Sequence, residues 1–217
     1  MIIQCLQHAA SKHSFSMELS AGDVNSWLLG HVPFAAGQYF STDVLIHDMA
    51  HALHWCWTRA RLVHRDVKLD NMLLHAEGQQ VVLCDFARSL CLKPDEAYRR
   101  TAFTGTLCYA APEMIIDQIC APANDLWALA VCIFAAHEKL MPFEEHEEGA
   151  LPDWQAGVQY RAEAWKGNER LQSLRALLEH HLFVPWQSRL DAWSLFERWS
   201  RIVEAGRPTT VNPQCSP

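Results

Sequence analysis

The 217-residue sequence has no long hydrophobic run, no closely spaced cysteine pair and no surplus of basic residues. A membrane helix needs roughly 18 or more apolar residues in succession, and polar or charged side chains interrupt every apolar stretch here. The N-terminus lacks the long apolar stretch and small-residue cleavage site of a signal peptide. A net charge of −7 argues against a general nucleic-acid binder, and eight cysteines without a C-x-x-C pair are typical of reduced thiols. We therefore expect one soluble intracellular domain in the cytoplasm, with the nucleus left open and without membrane or nucleic-acid partners.

Half of the residues are hydrophobic, which is enough for a full core, and their spacing is mainly helical. Residues 41–59 place Leu45, Met49, Ala52 and Cys56 on one face of a long helix, with Ser41 or Thr42 as its N-cap. Residues 125–139 are almost wholly apolar between their ends, which indicates a helix buried on all sides. Other predicted helices are a short one capped by Asp23 and amphipathic ones over 153–166, 171–182 and 188–203.

Two hairpins complete the predicted secondary structure. The first pairs residues 2–6 with 15–19, and the second pairs 72–74 with 81–84 around a Glu-Gly turn at 77–78. Residues 206–217 are rich in Pro, Thr and Asn and are predicted to form a flexible tail. The predicted fold class is mainly α (α+β), with short β-hairpins.

The residues that carry chemistry lie between the long helix and the second hairpin. Residues 64–71 read H-R-D-V-K-L-D-N, and residues 85–87 read D-F-A. Phosphoryl transfer needs a carboxylate for the attacking hydroxyl, a cation beside the phosphoryl group and oxygen ligands for Mg²⁺. Asp66, Lys68, Asn71 and Asp85 supply that set, and the hairpin would bring Asp85 back beside Asn71.

These motifs resemble those of the eukaryotic-type protein kinase family, in its serine/threonine branch. Residues 64–71 match the family's H-R-D-x-K-x-x-N catalytic loop at every fixed position, and D-F-A resembles the D-F-G metal motif with its glycine replaced. Residues 105–113, G-T-L-C-Y-A-A-P-E, resemble the end of the activation segment. Residues 125–131 look like the start of the family's buried central helix.

The resemblance implies a role for each matched residue. Asp66 is the implied catalytic base, and Lys68 lies beside the phosphoryl group. Asn71 and Asp85 are the implied ligands of Mg²⁺. The Asp66 and Asp85 carboxylates are expected to lie within reach of one metal ion. ATP is the implied cofactor, contacted by the backbone of Glu18 and Leu19, by Asp23 at the ribose and by Leu73 beneath adenine. The implied structural or regulatory residues are His64, Arg65, Thr101, Thr106, Glu113, Asp125 and Arg189. Glu113 and Arg189 are expected to form a buried bidentate ion pair.

Two parts of the family pattern are missing from the sequence: a G-x-G-x-x-G loop and a V-A-I-K lysine. We therefore expect a protein-kinase-like large lobe with most of the small lobe truncated. The expected kinase-like domain covers residues 1–205, with a remnant small-lobe hairpin and hinge over 1–19, the large lobe over 20–205 and the tail over 206–217.

Three functions stay open at this point. The first is a serine/threonine protein kinase that transfers a phosphoryl group from ATP-Mg to a protein substrate. The second is a catalytically weak or inactive large lobe that binds and regulates another kinase, or pairs with a chain that supplies a small lobe. The third is a truncated product without a stable role of its own.

Three further features have competing interpretations. The histidines at 47, 51 and 54 have the spacing of a metal site, but surface histidines of a helix are the more common case. Residues 144–148, E-E-H-E-E, are either a solvated loop or an attractor of basic substrates. Thr101 and Thr104 lie where an activating phosphate could sit, although Ala102 occupies the family's usual phosphothreonine position.

Overall fold

A computed structural model describes the backbone of residues 5–9 and 14–17, residue 20, and residues 22–31, 41–75, 80–143 and 169–205. The α-helices, in chain order, are α1 Val24–Leu28, α2 Thr42–Ala60, α3 Pro112–Ile116, α4 Pro122–Glu138, α5 Glu169–Leu177 and α6 Ala192–Ala205. The strands are β1 Cys5–Ala9, β2 Ser14–Met17, β3 Gly22–Asp23, β4 Leu62–Val63, β5 Met72–Leu74, β6 Val81–Leu83, β7 Leu90–Cys91, β8 Arg99–Arg100 and β9 Ile119–Cys120. The predicted helical class with short hairpins is confirmed.

Helix α2 forms where the apolar spacing predicts it. The Ser41 side chain caps its start by accepting a hydrogen bond from the Asp43 N–H at 3.1 Å. The helix ends before Arg61, whose left-handed backbone (φ 51°) turns the chain toward β4. The predicted apolar face is buried against the core, and α2 packs between α4 and α6.

Helix α4 is the buried centre of the fold, as its composition predicts. It begins at Pro122 rather than at Asp125, because a proline in the first turn needs no hydrogen-bond partner for the N–H it lacks. Every residue from Asn124 to Ala136 is buried. Among the described residues, no helix is long and apolar enough to cross a membrane.

The late helices differ in detail from their predicted bounds. Helix α5 continues into a π-helical turn over Leu178–Leu182, and a single 3₁₀ turn occupies Trp186–Ser188. The last helix therefore begins at Ala192 and not at residue 188, so that Arg189 lies in extended backbone before it. Asp191 ends this extended stretch because its carboxylate accepts a hydrogen bond from the Ser194 N–H at 2.9 Å. The predicted helix over 153–166 and the tail over 206–217 lie outside the described residues.

Both predicted hairpins are present. Strands β1 and β2 are antiparallel, and β1 extends through His8 and Ala9, which the sequence assigned to the polar connection. Strands β5 and β6 are antiparallel with Leu73 opposite Val82, and β3 joins the other edge of β5 with Asp23 opposite Leu73. The turn at 77–78 lies outside the described residues. The second hairpin positions the strand that leads to Asp85.

Candidate active site

The loop over residues 64–71 is held in place from beneath by the central helix. The buried carboxylate of Asp125 accepts the backbone N–H groups of His64 at 2.7 Å and Arg65 at 2.9 Å. Burial raises the pKa of Asp125, and the two N–H donors and the neighbouring positive charge oppose that rise. Arg65 has a left-handed backbone (φ 70°), a conformation that costs free energy outside glycine and that clusters at functional sites.

Asp66 presents a nearly buried carboxylate at the centre of the loop. One oxygen, Oδ1, accepts a hydrogen bond from the Thr106 hydroxyl at 2.8 Å. The Lys68 ammonium lies 3.2 Å from the same hydroxyl and 3.8 Å from Oδ2 of Asp66. The side-chain amide of Asn71 donates to the Asp66 carbonyl at 2.8 Å, which closes the loop on itself. The structure thus brings together three of the predicted catalytic and metal residues with Thr106.

The approach of Thr106 to this loop depends on a glycine. Gly105 has a backbone φ of 123°, which side-chain-bearing residues rarely adopt. A Cβ atom placed on Gly105 would lie only 2.5 Å from the Arg65 carbonyl oxygen and 3.5 Å from Oδ1 of Asp66. Glycine at this position therefore lets the activation segment run directly over the catalytic loop.

The D-F-A segment lies against the other end of the loop. The Cys84 N–H donates to the Asn71 carbonyl at 3.0 Å, and the Cys84 carbonyl lies 2.9 Å from Nε2 of His64. The rings of His64 and Phe86 meet edge to face, with centroids 4.8 Å apart. Asp85 itself is exposed, has φ 59°, and accepts the Ala87 N–H at 3.3 Å. These contacts place the D-F-A segment against His64 and against the Asn71 end of the loop.

The residues expected to contact nucleotide are only partly described. Glu18 and Leu19 lie outside the described residues. Asp23 and Leu73 are neighbours across the β3–β5 pair. Both carboxylate oxygens of Asp23 accept hydrogen bonds from Ser26, one from its N–H and one from its hydroxyl, each at 2.7 Å. Asp23 is therefore first of all the N-cap of α1.

The end of the activation segment is anchored by an ion pair. Arg189 Nη1 lies 2.7 Å from Glu113 Oε1, and Nη2 lies 3.4 Å from Oε2. These two contacts give the pair the expected bidentate geometry, and the Arg189 side chain is fully buried. Asn124, which no sequence motif marks, donates its side-chain amide to Oε1 of Glu113 at 2.7 Å. Asn124 lies one residue before the helix predicted over 125–139, so that its contact with Glu113 was not predicted.

The middle of the activation segment also contacts the catalytic loop. The Arg65 guanidinium donates to the carbonyl of Ala102 at 2.9 Å, at the position of the family's usual phosphothreonine. The Thr101 N–H donates to the Gln118 carbonyl at 2.9 Å. Thr104 accepts a hydrogen bond from Arg88 Nη1 at 2.8 Å.

Arg88 is a second site residue that no sequence motif marks. Its Nε lies 3.4 Å from Oδ2 of Asp66, and its side chain is 49% exposed. The available signal was a cation directly after D-F-A, which the family motif leaves unspecified.

The histidines of α2 contact aromatic rings of α6. His47 and His51 face Phe196 at centroid distances of 4.8 and 6.1 Å, and His54 faces Trp193 at 5.0 Å. No group of three metal-ligating side chains is found in the described part of the chain. Helix packing is therefore the interpretation that this geometry favours. The acidic run over 144–148 lies outside the described residues.

The buried central helix anchors the catalytic loop, the D-F-A segment lies against that loop, and the A-P-E segment is held by Arg189. Together these features define a protein-kinase-like large lobe. The family model for the protein kinase domain matches residues 1–198. The chain belongs to the eukaryotic-type protein kinase family.

Curated relatives agree with this assignment. The chain is 26% identical over 209 residues to serine/threonine-protein kinase D2 of Rattus norvegicus, a match that covers 88% of this chain and 23% of the relative. It is 37% identical over 103 residues to an Aurora kinase of Candida glabrata, with 48% and 28% covered. It is 35% identical over 99 residues to the SNF-related serine/threonine-protein kinase of Rattus norvegicus, with 45% and 13% covered. The matches thus span less than a third of each relative's length.

Proposed function

We propose that the chain is a serine/threonine protein kinase, which transfers a phosphoryl group from ATP-Mg to a hydroxyl of a protein substrate. The observation that carries this proposal is the arrangement of Asp66, Lys68 and Thr106. A nearly buried carboxylate has one oxygen fixed by the Thr106 hydroxyl at 2.8 Å, while an ammonium lies beside the other oxygen. This arrangement suits a base that accepts the proton of an acceptor hydroxyl, with a cation next to the incoming phosphoryl group.

The residues around the loop fit Mg²⁺ and ATP. The Asn71 nitrogen donates to the Asp66 carbonyl, which leaves the amide oxygen for a cation. Asp85 offers an exposed carboxylate directly after Cys84, whose N–H donates to the Asn71 carbonyl. Such oxygens are the ligands that Mg²⁺ prefers. ATP would supply the phosphoryl group, with its adenine over Leu73 and against the backbone of Glu18 and Leu19. Asp23 would meet the ribose while still capping α1.

The chain's own residues then have distinct tasks. Asp66 orients the acceptor hydroxyl and takes its proton, and Thr106 keeps the carboxylate in one orientation. Lys68 balances negative charge where the phosphoryl group moves. Asp125 keeps the loop in shape through the backbone of His64 and Arg65. Residues 1–19 would form the hinge and remnant small lobe, and residues 20–205 the large lobe.

The test compares wild-type protein with Asp66→Asn, which is close in shape but cannot accept the proton. Both are incubated with γ-labelled ATP, Mg²⁺ and a serine peptide. We expect incorporation to fall at least a hundredfold in the variant, the range associated with loss of a general base. Thr106→Val should reduce incorporation and Thr106→Ser should retain it. Equal labelling by wild type and Asp66→Asn would contradict the proposed activity.

A second function is favoured by the state of the catalytic carboxylate. Arg88 lies 3.4 Å from Oδ2 of Asp66, and Ala87 replaces the flexible glycine of the D-F-G motif. A lobe with this site would regulate another kinase or pair with a chain that supplies a small lobe. Native mass spectrometry of the chain with a serine/threonine kinase domain tests this role. A complex that also forms with Asp66→Asn would support it, and a chain that stays monomeric would contradict it.

A further inference from the structure

Arg88 lies against Oδ2 of Asp66, the carboxylate oxygen that does not contact the Thr106 hydroxyl. Oδ1 of Asp66 is already engaged by the Thr106 hydroxyl, so that Oδ2 remains for a substrate. Arg88 Nε lies 3.4 Å from that oxygen, and Nη1 of the same guanidinium donates to the Thr104 hydroxyl at 2.8 Å. The guanidinium thus spans from the catalytic loop to the activation segment, across the mouth of the site.

This guanidinium has unused binding capacity on its solvent side. An arginine carries five N–H donors in a planar fork that fits a carboxylate or phosphate with two parallel hydrogen bonds. Arg88 uses one of them on Thr104 and another toward Asp66, and its side chain is 49% exposed. An anion arriving from solvent can therefore bind the remaining donors without first removing the contact to Thr104.

Two cationic side chains, Lys68 and Arg88, lie against the Asp66 carboxylate, although the chain as a whole carries a net charge of −7. Lys68 lies 3.8 Å from Oδ2, and the half-buried Arg65 donates from Nη2 to the Ala102 carbonyl at 2.9 Å. Asp66 itself is nearly buried, so the cations at this mouth are more accessible than the carboxylate that they surround. Such a local field attracts anionic groups and repels cationic ones.

We propose that Arg88 makes this site select acceptor serines or threonines that have an acidic side chain next to them. This inference rests on the proposed kinase function. The acidic side chain of the substrate takes the guanidinium of Arg88, and the guanidinium turns away from Asp66. Oδ2 then becomes available to the acceptor hydroxyl. A basic neighbour cannot make this exchange, and it meets Arg88 and Lys68 as like charges.

The experiment uses two peptides with the same acceptor serine, one flanked by glutamates and one by lysines. Binding is measured without ATP by fluorescence anisotropy, and label transfer is measured separately with ATP and Mg²⁺. The proteins are wild type, Asp66→Asn, Arg88→Ala, Arg88→Glu and the matched control Arg201→Glu, which makes the same charge change at an exposed position of α6. Thermal melting confirms that each variant is folded.

We expect wild type and Arg201→Glu to prefer the glutamate peptide about two- to fivefold, the range for one partly exposed ion pair. Arg88→Ala should abolish the preference, and Arg88→Glu should reverse it. Equal binding of both peptides, a wild-type preference for lysine, or a preference unchanged in Arg88→Glu would each overturn the proposal. If the binding preference follows Arg88 but no Asp66-dependent labelling occurs, the selectivity of the site stands and the kinase activity fails. If Asp66-dependent labelling occurs but neither peptide is preferred, the kinase activity stands and the proposed selectivity fails.

Discussion

Arg189 and Glu113, which are 76 residues apart in the chain, form a buried ion pair with 2.7 Å between Nη1 and Oε1. The same guanidinium donates to the carbonyls of Leu182, Ala123 and Val184 at 2.7–2.8 Å. One side chain thereby ties the end of the activation segment to the start of α4 and to the segment before α6. Such a fully satisfied buried charge stabilises one arrangement of these segments.

The first prediction concerns this arginine. Arg189→Ala should lower the free energy of unfolding by about 3–5 kcal/mol, because it leaves Glu113 as an uncompensated buried charge. Arg189→Lys should recover only part of the loss, since an ammonium cannot reproduce the two-pronged contact. Thermal or urea unfolding measures both. Arg201→Ala on the exposed face of α6 is the control, and a melting temperature of Arg189→Ala equal to that of wild type would refute the anchor.

The second prediction concerns the anchor of the catalytic loop. Asp125→Asn keeps the side-chain shape but offers one acceptor oxygen to two N–H groups. Since a hydrogen bond to a charged group contributes about 1.5–3 kcal/mol, amide exchange at His64 or Arg65 should accelerate about ten- to a hundredfold. Hydrogen-exchange NMR measures this, with the Leu129 amide in mid-helix as an internal control. Unchanged exchange at both loop amides would show that Asp125 does not hold the loop.

The third prediction is a pH dependence at the start of α6. Partial burial works to raise the pKa of Asp191, but hydrogen bonds from the N–H and hydroxyl of Ser194 outweigh it, and the pKa lies below the usual value. The stabilisation is therefore complete above about pH 4, the ordinary aspartate pKa, and is lost as the pH falls through the lower folded-state value. Asp191→Ala should cost about 0.5–2 kcal/mol at pH 7 and progressively less toward pH 2.

Melting curves of wild type and Asp191→Ala between pH 2 and pH 7 measure this difference. The exposed Asp95→Ala should show little change at any pH. A gap between wild type and Asp191→Ala that stays constant over the whole range would mean that the carboxylate charge is not what caps the helix.

The fourth prediction is that ATP binding is weak and depends on metal. Asn71 and Asp85 offer oxygens to Mg²⁺, while the sequence contains no glycine-rich loop to cover the phosphates. Calorimetric titration of ATP should show binding with Mg²⁺ and at least tenfold weaker binding with EDTA, a difference of about 1.4 kcal/mol. Asp85→Ala should have the same effect as EDTA, and the exposed Asp117→Ala should have none. Tight binding that is insensitive to metal and to Asp85→Ala would contradict the proposed site.

Most helices and both hairpins were predictable because their signals are local. The spacing of Leu45 and Met49 and the Ser41 cap lie within a few residues of the structure that they specify. The limits of α4 and α6 were less predictable. Pro122 in the first turn extends α4 beyond its predicted start. Arg189 stays outside α6 because it donates hydrogen bonds to Glu113 and to three backbone carbonyls.

The sequence by itself determined the family, because the spacing of residues within one loop is a property of the chain alone. Asp66, Lys68 and Asn71 keep their order and separation in any conformation. Only the tertiary structure decided that the Arg88 guanidinium contacts Oδ2 of Asp66 and that both carboxylate oxygens of Asp23 accept hydrogen bonds from Ser26. Such contacts depend on the directions of side chains and on segments brought together by the packing around α4. Their energies are small compared with the burial of the core, and no local pattern in the sequence encodes them.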